Sequence, residues 1–439
     1  MKLARLSLAA IVVAGLGTTG FAASDTLADA FKNGKVSGEL KAYYFDREGS
    51  ANVSTASTKQ INSDIFTTGI MLHYDTDTFY GFNLGATFQG SASPFADGDV
   101  STAGTAKSDF KSDIYGSGTQ LSEAYVNYAY GKSFIKAGRQ YLVSPLVNGS
   151  GSRIVKQSFD AVIAGNMDIP DTVVMIGVGL KYQPRTTGSL NVDANADGDI
   201  GEFINVKSAY DDYVYTAYAM NKSITNTTIT AQYAGIPDQV HFYYAEAAYV
   251  GKINDFTYGL TANYELKAPE IGENGTMYGA KASLGYGAFN TYVAYTTITE
   301  DADIAGLDGG GAFGGGAQTA LAKGYQNRTG TYKYSDTDAY SVDVNYNFKD
   351  IGLLVGARYT GVSVGDNANT YAVENLFKIG NLSNQIAASE RGKDFVYTDI
   401  YAVYDFTGAL KGLSTDVSYQ DWSEDADGHD FWFKANYKF

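Results

Sequence analysis

From residue 36 to residue 439 the side chains alternate between apolar and polar, in segments of about ten residues. That period of two is the strongest constraint on the fold. The final segment shows it most clearly. Phe431, Phe433, Ala435, Tyr437 and Phe439 occupy one set of alternate positions. Asp430, Lys434, Asn436 and Lys438 occupy the other, and only Trp432 interrupts that polar set. A strand sends successive side chains to opposite faces, so this one has an apolar face and a mostly wet face. At the end of a soluble sandwich such an edge is an aggregation hazard. In a closed barrel the edge pairs with the first strand and the apolar face meets lipid. Taken alone, the segment also fits a soluble β-strand.

The rest of the chain repeats the pattern. Val36, Gly38, Leu40, Ala42 and Tyr44 share one face, with Ser37, Glu39, Lys41 and Tyr43 on the other. A polar stretch, 46–63, separates this strand from the next. Phe66, Thr68, Ile70, Leu72 and Tyr74 then point outward, followed by Tyr80, Phe82, Leu84, Ala86 and Phe88. Further strands are predicted over 121–130, 133–141, 158–166, 173–182, 211–220, 226–234, 240–250 and 256–267. The remainder are 276–286, 289–298, 338–348, 352–362, 395–406, 412–422 and 429–439. Tight turns at 131–132, 287–288 and 349–350 alternate with long polar connections at 90–120, 183–210, 299–337 and 363–394. The fold class is therefore all-β: a transmembrane antiparallel β-barrel of about 18 strands, with short periplasmic turns and long external loops. The Gly-rich run 305–323 reads as a mobile external loop.

Composition agrees with a barrel. The 439 residues include 36 Tyr against 2 Trp, and Tyr suits both strands and a membrane–water interface. No Cys is present, which excludes disulfides and thiol-ligated metals. Residues 1–22 read as a secretory signal peptide: Lys2 and Arg5 precede an apolar core over 6–17, too short to span a bilayer, and Gly20 and Ala22 are small residues before a cut. Residues 23–35 form a short periplasmic segment with helical spacing over 25–33, and 36–439 form the barrel. No later stretch approaches 18 consecutive apolar residues, so a return to the membrane requires strands. Removing Lys2 and Arg5 leaves 30 basic residues against 48 acidic ones, a charge of −18 that argues against nucleic acid as a partner.

Three stretches carry a family likeness. The first joins Phe31-Lys32-Asn33-Gly34-Lys35-Val36-Ser37-Gly38-Glu39-Leu40 to Tyr43-Tyr44-Phe45. The second joins Glu123-Ala124-Tyr125 to Ala137-Gly138-Arg139-Gln140 and Ser144-Pro145-Leu146. The third runs from Ser152 and Arg153 to Asp160 and Ala161. In order and spacing these resemble the OprD-like outer-membrane porins, particularly the major porins of the epsilonproteobacterial branch. The aromatic terminal strand, with Phe431, Phe433, Tyr437 and Phe439, resembles the signal read by the barrel insertion machinery. The family likeness implies an 18-stranded pore in the bacterial outer membrane, often a homotrimer, that passes ions and small solutes. It also implies an inward-folded third external loop, here 142–157, with Arg153 and Lys156 near its exit. Some members pass basic amino acids along lumen arginines. In this chain the inward positions include Glu39, Glu123, Glu246, Glu265, Asp343, Asp399 and Asp416 against Lys41, Lys281 and Arg358, so an arginine ladder is not evident.

Four observations bear on chemistry. The histidines are His73, His241 and His429, and the strand map places no Ser or acid in a triad relation to them, so no enzyme is expected. Asp193, Asn195, Asp197, Asp199 and Glu202, with Gly198 at the turn, resemble a Ca2+-binding loop in ligand spacing. Ile204 stands where a bidentate Glu belongs, and a solvated acidic loop is the alternative. Arg153 and Lys156 facing Asp160 and Glu123 would set a transverse field across a constriction. Equally, these charges fit loop solvation and anchoring. The acidic balance leads to an expected preference for cations in a passive pore. A structural protein or surface adhesin with a blocked lumen is the competing reading.

Overall fold

The computed structural model describes residues 24–52, 58–94, 117–185, 200–307, 313–315, 318–326, 334–368, 391–425 and 427–439. A short helix, α1 (Leu27–Lys32), leads in. The Thr26 side chain accepts the Asp29 N–H and caps it, and Gly34 follows its end. Strands β1 (Lys35–Asn52), β2 (Thr58–Asp75), β3 (Phe82–Ala92), β4 (Gly118–Tyr130), β5 (Ser133–Gln140), β6 (Ser158–Asn166) and β7 (Thr172–Gln183) follow. A two-residue strand β8 (Ile204–Asn205) and helix α2 (Val206–Tyr210) precede β9 (Val214–Asn221). The chain continues through β10 (Thr227–Ile236), β11 (Val240–Ile253), β12 (Phe256–Pro269), β13 (Gly275–Tyr286) and β14 (Phe289–Ile298). It ends with β15 (Thr337–Phe348), β16 (Leu353–Val364), β17 (Lys393–Asp405), β18 (Leu413–Glu424) and β19 (Asp427–Lys438).

Each strand pairs antiparallel with its sequence neighbours, except that β9 pairs with β7 past the short β8. The sheet closes where β1 meets β19, in register from Glu39 opposite Lys438 to Ser50 opposite Asp427. Closure leaves no open edge for lipid to desolvate. The barrel wall thus has 18 strands, and β8 is an addition paired to Lys181 and Tyr182 on β7.

Two expectations need correction. The described residues of the polar stretch 46–63 are strand, because β1 and β2 run on in register, with β19 alongside β1 as far as Ser50. Polar side chains do not stop a ladder whose hydrogen bonds come from the backbone. The strand predicted over 211–220 begins at Val214, because Asp211 is left-handed (φ 65°) and ends α2.

The outward face is an apolar belt. Leu40, Leu72, Leu84, Val126, Ile135, Ile176, Leu260, Val293 and Ile400 are all exposed. A girdle of aromatics rings the turn end, including Tyr80, Tyr130, Tyr286 and Phe289, with Phe82 against Tyr128 at 4.5 Å and Phe256 against Tyr286 at 4.8 Å. Exposed aromatics recur nearer the loop end, among them Tyr243, Tyr278, Tyr295, Tyr340 and Tyr419. An apolar band between two aromatic girdles is the surface of a barrel seated in a bilayer. Among the described residues no helix is long and apolar enough to cross a membrane. The closed barrel and this lipid-facing belt place the protein in the bacterial outer membrane.

Candidate functional site

The lumen is occupied by two loops. L3 (141–157) crosses from the β5–β6 side to the opposite wall. Near its start, Leu146 and Val147 pack with Phe159, Tyr182, Phe242 and Ile236, inward residues of β6, β7, β11 and β10. The Leu146 N–H donates to Gln232 Oε1 at 2.9 Å, and Gln232 Nε2 donates to Ser144 Oγ at 2.9 Å. At the far side, Ile154 and Val155 pack on Tyr43, Phe45, Ile65 and Trp432 from β1, β2 and β19. Its exit is clamped by Gln89, which accepts the Lys156 N–H at 3.1 Å and donates to the Lys156 carbonyl at 2.9 Å.

L7 (299–336) is the second loop, and its described residues lie against the inner wall, Phe313 on the β6, β7 and β11 side and 319–326 on the side of β12 to β19. Thr319 donates its hydroxyl to Glu265, and Asn263 Nδ2 donates to the Thr319 carbonyl at 2.8 Å. The Leu321 and Ala322 N–H groups donate to Thr296 Oγ1. The Tyr325 N–H donates to Asp399 Oδ2 at 2.9 Å and its phenol to Asp416 Oδ1 at 3.1 Å. Its ring stacks on Tyr401 at 3.9 Å, tilted by 6°. Gln326 donates to Ser418 Oγ at 2.9 Å.

The two loops touch. The Gly314 N–H donates to the Leu146 carbonyl at 2.7 Å, and Phe313 bridges to Val147. Gly314 has φ 99°, and a Cβ there would stand 2.5 Å from the Phe242 ring. The expectation of a mobile external loop over 305–323 is therefore corrected for the described part. Glycine here serves close approach to the wall, not freedom.

The diaphragm has two adjoining electrostatic sectors. In the first, Arg153 and Lys434 both lie over the Trp432 ring, at 4.5 and 4.4 Å from its centre. Lys41 Nζ donates to the Ile154 carbonyl at 3.4 Å and stands 3.5 Å from Glu39. Arg185 and Lys41 also act on Lys434 through their fields. Lys156 lies over the Tyr141 ring at 3.8 Å, and burial lowers its pKa to about 8. In the second sector, on β13 to β18, Arg358 Nε donates to Asp343 Oδ2 at 2.9 Å, and Lys281 sits 3.4 Å from the centre of Tyr292. Tyr401 donates to Asp343, and Gln420 donates to Asp399 at 2.7 Å. The sectors meet where Asp416 on β18 pairs with Lys434 on β19.

The sequence matches no family model and no curated protein. Solved structures do match in shape. OpdK of Pseudomonas aeruginosa, crystallised with vanillate, superposes with a TM-score of 0.67 at 12% identity, covering 93% of this chain and 99% of that one. OccK2 (OpdF) of the same organism, in complex with glucuronate, gives 0.66 at 12% identity, over 93% of this chain and 97% of that one. OccAB4 of Acinetobacter baumannii gives 0.67 at 14% identity, over 93% and 98%. The fold is that of the OprD-like porins.

Within that fold the expected residues divide. Arg153 and Lys156 lie on L3 inside the barrel, and Glu123 lies at its root. Glu39, Lys41, Glu265, Lys281, Asp343, Arg358, Asp399 and Asp416 all occupy inward positions by strand alternation. Asp160 does not face L3, which corrects its assignment to the constriction. Its carboxylate pairs with Arg139 Nε at 3.3 Å and Lys181 Nζ at 3.8 Å. The β5–β6 register places Arg139 and Asp160 on the face of exposed Ile135, outside the barrel. Phe431, Phe433, Tyr437 and Phe439 share the outward face of β19, and the Phe439 N–H donates to the Gly38 carbonyl at 3.1 Å. Asp193, Asn195, Asp197 and Asp199 lie outside the described residues, and Glu202 is exposed. Residues 1–22, read as a signal peptide, also lie outside them.

Sequence reasoning missed Lys434, Trp432, Arg185 and Tyr325. Lys434 was legible, since alternation puts it on the inward face of the last strand. Arg185 and Tyr325 sit in loops that carry no period. His73 also needs correction, because the fold does bring it an acid and a hydroxyl. Its Nε2 is 2.8 Å from Asp75 and its Nδ1 is 2.6 Å from Thr87 Oγ1. The order is that of a nucleophilic triad, but Thr87 is 1% exposed and gives its proton to Glu123 at 2.6 Å. A hydroxyl so buried and committed has no access to a substrate carbonyl.

Proposed function

We propose that the protein is a passive outer-membrane channel for small polar solutes, selecting at the L3–L7 diaphragm and favouring those that carry a carboxylate. One observation carries the reading: Lys41, Arg153, Lys156 and Lys434 converge at the diaphragm from three separate elements. A cationic sector in a narrow, low-dielectric lumen concentrates anions. The charge of −18 favours cations only if the acids reach the constriction. Many inward acids are instead engaged: Asp343 with Arg358, Asp430 with Arg47, and Asp303 with Lys267. Vanillate and glucuronate, found in OpdK and OccK2, are both carboxylates, which supports the same chemistry here.

The decisive experiment is the reversal potential of the pure protein in planar bilayers across a salt gradient. Discrete steps with an anion-side reversal are expected, and added glucuronate should compete with chloride current. A cation-side reversal would restore the selectivity expected from net charge. A silent bilayer would favour the structural protein with a blocked lumen. The proposal includes assembly as a homotrimer and delivery by the barrel insertion machinery through the outward aromatics of β19. Deleting Phe439 should then lower the yield of assembled protein in cells, and unchanged yield would remove that part.

A further inference from the structure

The root of L3 hangs on a side-chain network in the turn-side half of the barrel. Glu123 Oε1 accepts the backbone N–H of Tyr141, the first residue of L3, at 3.1 Å. Its other oxygen accepts the Thr87 hydroxyl proton at 2.6 Å. A threonine hydroxyl has one proton, so toward any further partner Thr87 can only accept. That partner is His73, whose Nδ1 stands 2.6 Å from Thr87 Oγ1 and 3.4 Å from Glu123 Oε2. Across the ring, Nε2 stands 2.8 Å from Asp75 Oδ2, while Asp75 Oδ1 accepts the Tyr125 phenol proton at 2.7 Å. An ionised carboxylate only accepts. Both ring nitrogens therefore face acceptors, and only the imidazolium donates from both.

We propose that His73, as a doubly protonated imidazolium, is a positioning residue for the constriction: it orients Thr87 and Glu123, and through them fixes where L3 leaves the wall. The inference rests on the reading of L3 as part of a channel constriction. Asp75 on β2, Glu123 and Tyr125 on β4, and Lys136 on β5 face the ring or its partners; Lys136 Nζ is 4.0 Å from Glu123 and 3.5 Å from the centre of Tyr125. Glu39 and Lys41 on β1, with Tyr141 and Lys156 on L3, are the next charged or titratable groups around Glu123. His73 and Lys136 balance Asp75 and Glu123 in charge. Loss of one ring proton leaves a nitrogen lone pair facing either the Asp75 carboxylate or the Thr87 oxygen. The network must then rearrange, and the Tyr141 N–H loses a fixed acceptor. Loosening of L3 is thus expected on the alkaline side.

With three histidines in the chain, 15N-histidine NMR of the folded barrel reads this directly, and H73Q identifies the His73 signals. At neutral pH both His73 nitrogens should carry protons. A neutral tautomer would overturn the proposal. The second arm follows L3 itself, by trypsin cleavage after Arg153 and Lys156 and by open-channel noise against pH. Wild type should become cleavable and noisy as the ring titrates. H73Q should be cleavable and noisy at every pH, so the alkaline step is lost. Thr87→Val should loosen L3 while the ring stays protonated, which guards against misfolding of H73Q. Lys156→Met should keep the noise step, because the step belongs to the ring. If H73Q protects L3 as well as wild type does, the positioning role is wrong. Trypsin reads L3 whether or not the barrel conducts, so a silent bilayer with normal protection would defeat the channel reading alone.

Discussion

L3 and L7 enter the same lumen but are held there by different balances of apolar burial and hydrogen bonding. L3 rests at both ends on apolar wall residues: Phe159, Tyr182 and Phe242 on one side, Phe45 and Trp432 on the other. L7 buries Ile304 and Phe313, but over 319–326 it presents mostly small residues such as Ala320 and Ala322 to the wall and is pinned there by hydrogen bonds to Glu265, Thr296, Asp399 and Asp416. Apolar burial is non-directional, so L3 can tolerate small shifts between its polar clamps at Glu123, Gln232 and Gln89. Hydrogen bonds to buried carboxylates are directional and costly to leave unmade, so L7 has one seat. The barrel thus has a firm partition on the L7 side and an adjustable one on the L3 side, and the adjustable loop carries Arg153 and Lys156.

The largest expected effect attacks the apolar seat. Trp432→Ala should cost about 3–5 kcal/mol, the usual loss for a buried tryptophan. It also removes the ring beneath Arg153 and Lys434. L3 should become cleavable at Arg153 with L7 unchanged, and equal loosening of both loops would show that the seats are not independent. Next is the polar seat. Tyr325→Ala deletes one stack and one phenol hydrogen bond, about 2 kcal/mol together. Protease protection should fall in L7 only, and conductance should rise.

A smaller effect tests the charges L3 carries. Arg153→Ser with Lys156→Ser should move the reversal potential toward cations. Each removed charge is worth about 1 kcal/mol at 4 Å in water, so the permeability ratio should change several-fold. No change would place both residues away from the conduction path. The smallest effect is a pH response. Lys156 is charged below about 8 and neutral above it, so raising the pH through that range should shift selectivity the same way. Lys156→Met should abolish that shift, and a shift that survives would have to come from another group.

Much of this molecule was legible in its residues. A period of two is local, so the strands and their lipid-facing sides, from Val36 to Phe439, followed from alternation alone. Turn lengths set the order of neighbours, because adjacent antiparallel strands need only a tight connection. The family resemblance also implied an inward third loop, with Arg153 and Lys156 upon it. The tertiary structure decided everything that depends on partners far apart in the chain. Whether a Gly-rich run wanders or lies flat depends on what it meets, and Gly314 meets the Phe242 ring. Asp160 sits on the outer face because the β5–β6 register pairs it with Arg139. Asp75, two residues on, shares a strand face with His73, but only the barrel wall brings Thr87 and Glu123 to the other side of its ring. Alternation tells which way a side chain points; only closure of the barrel tells what it points at.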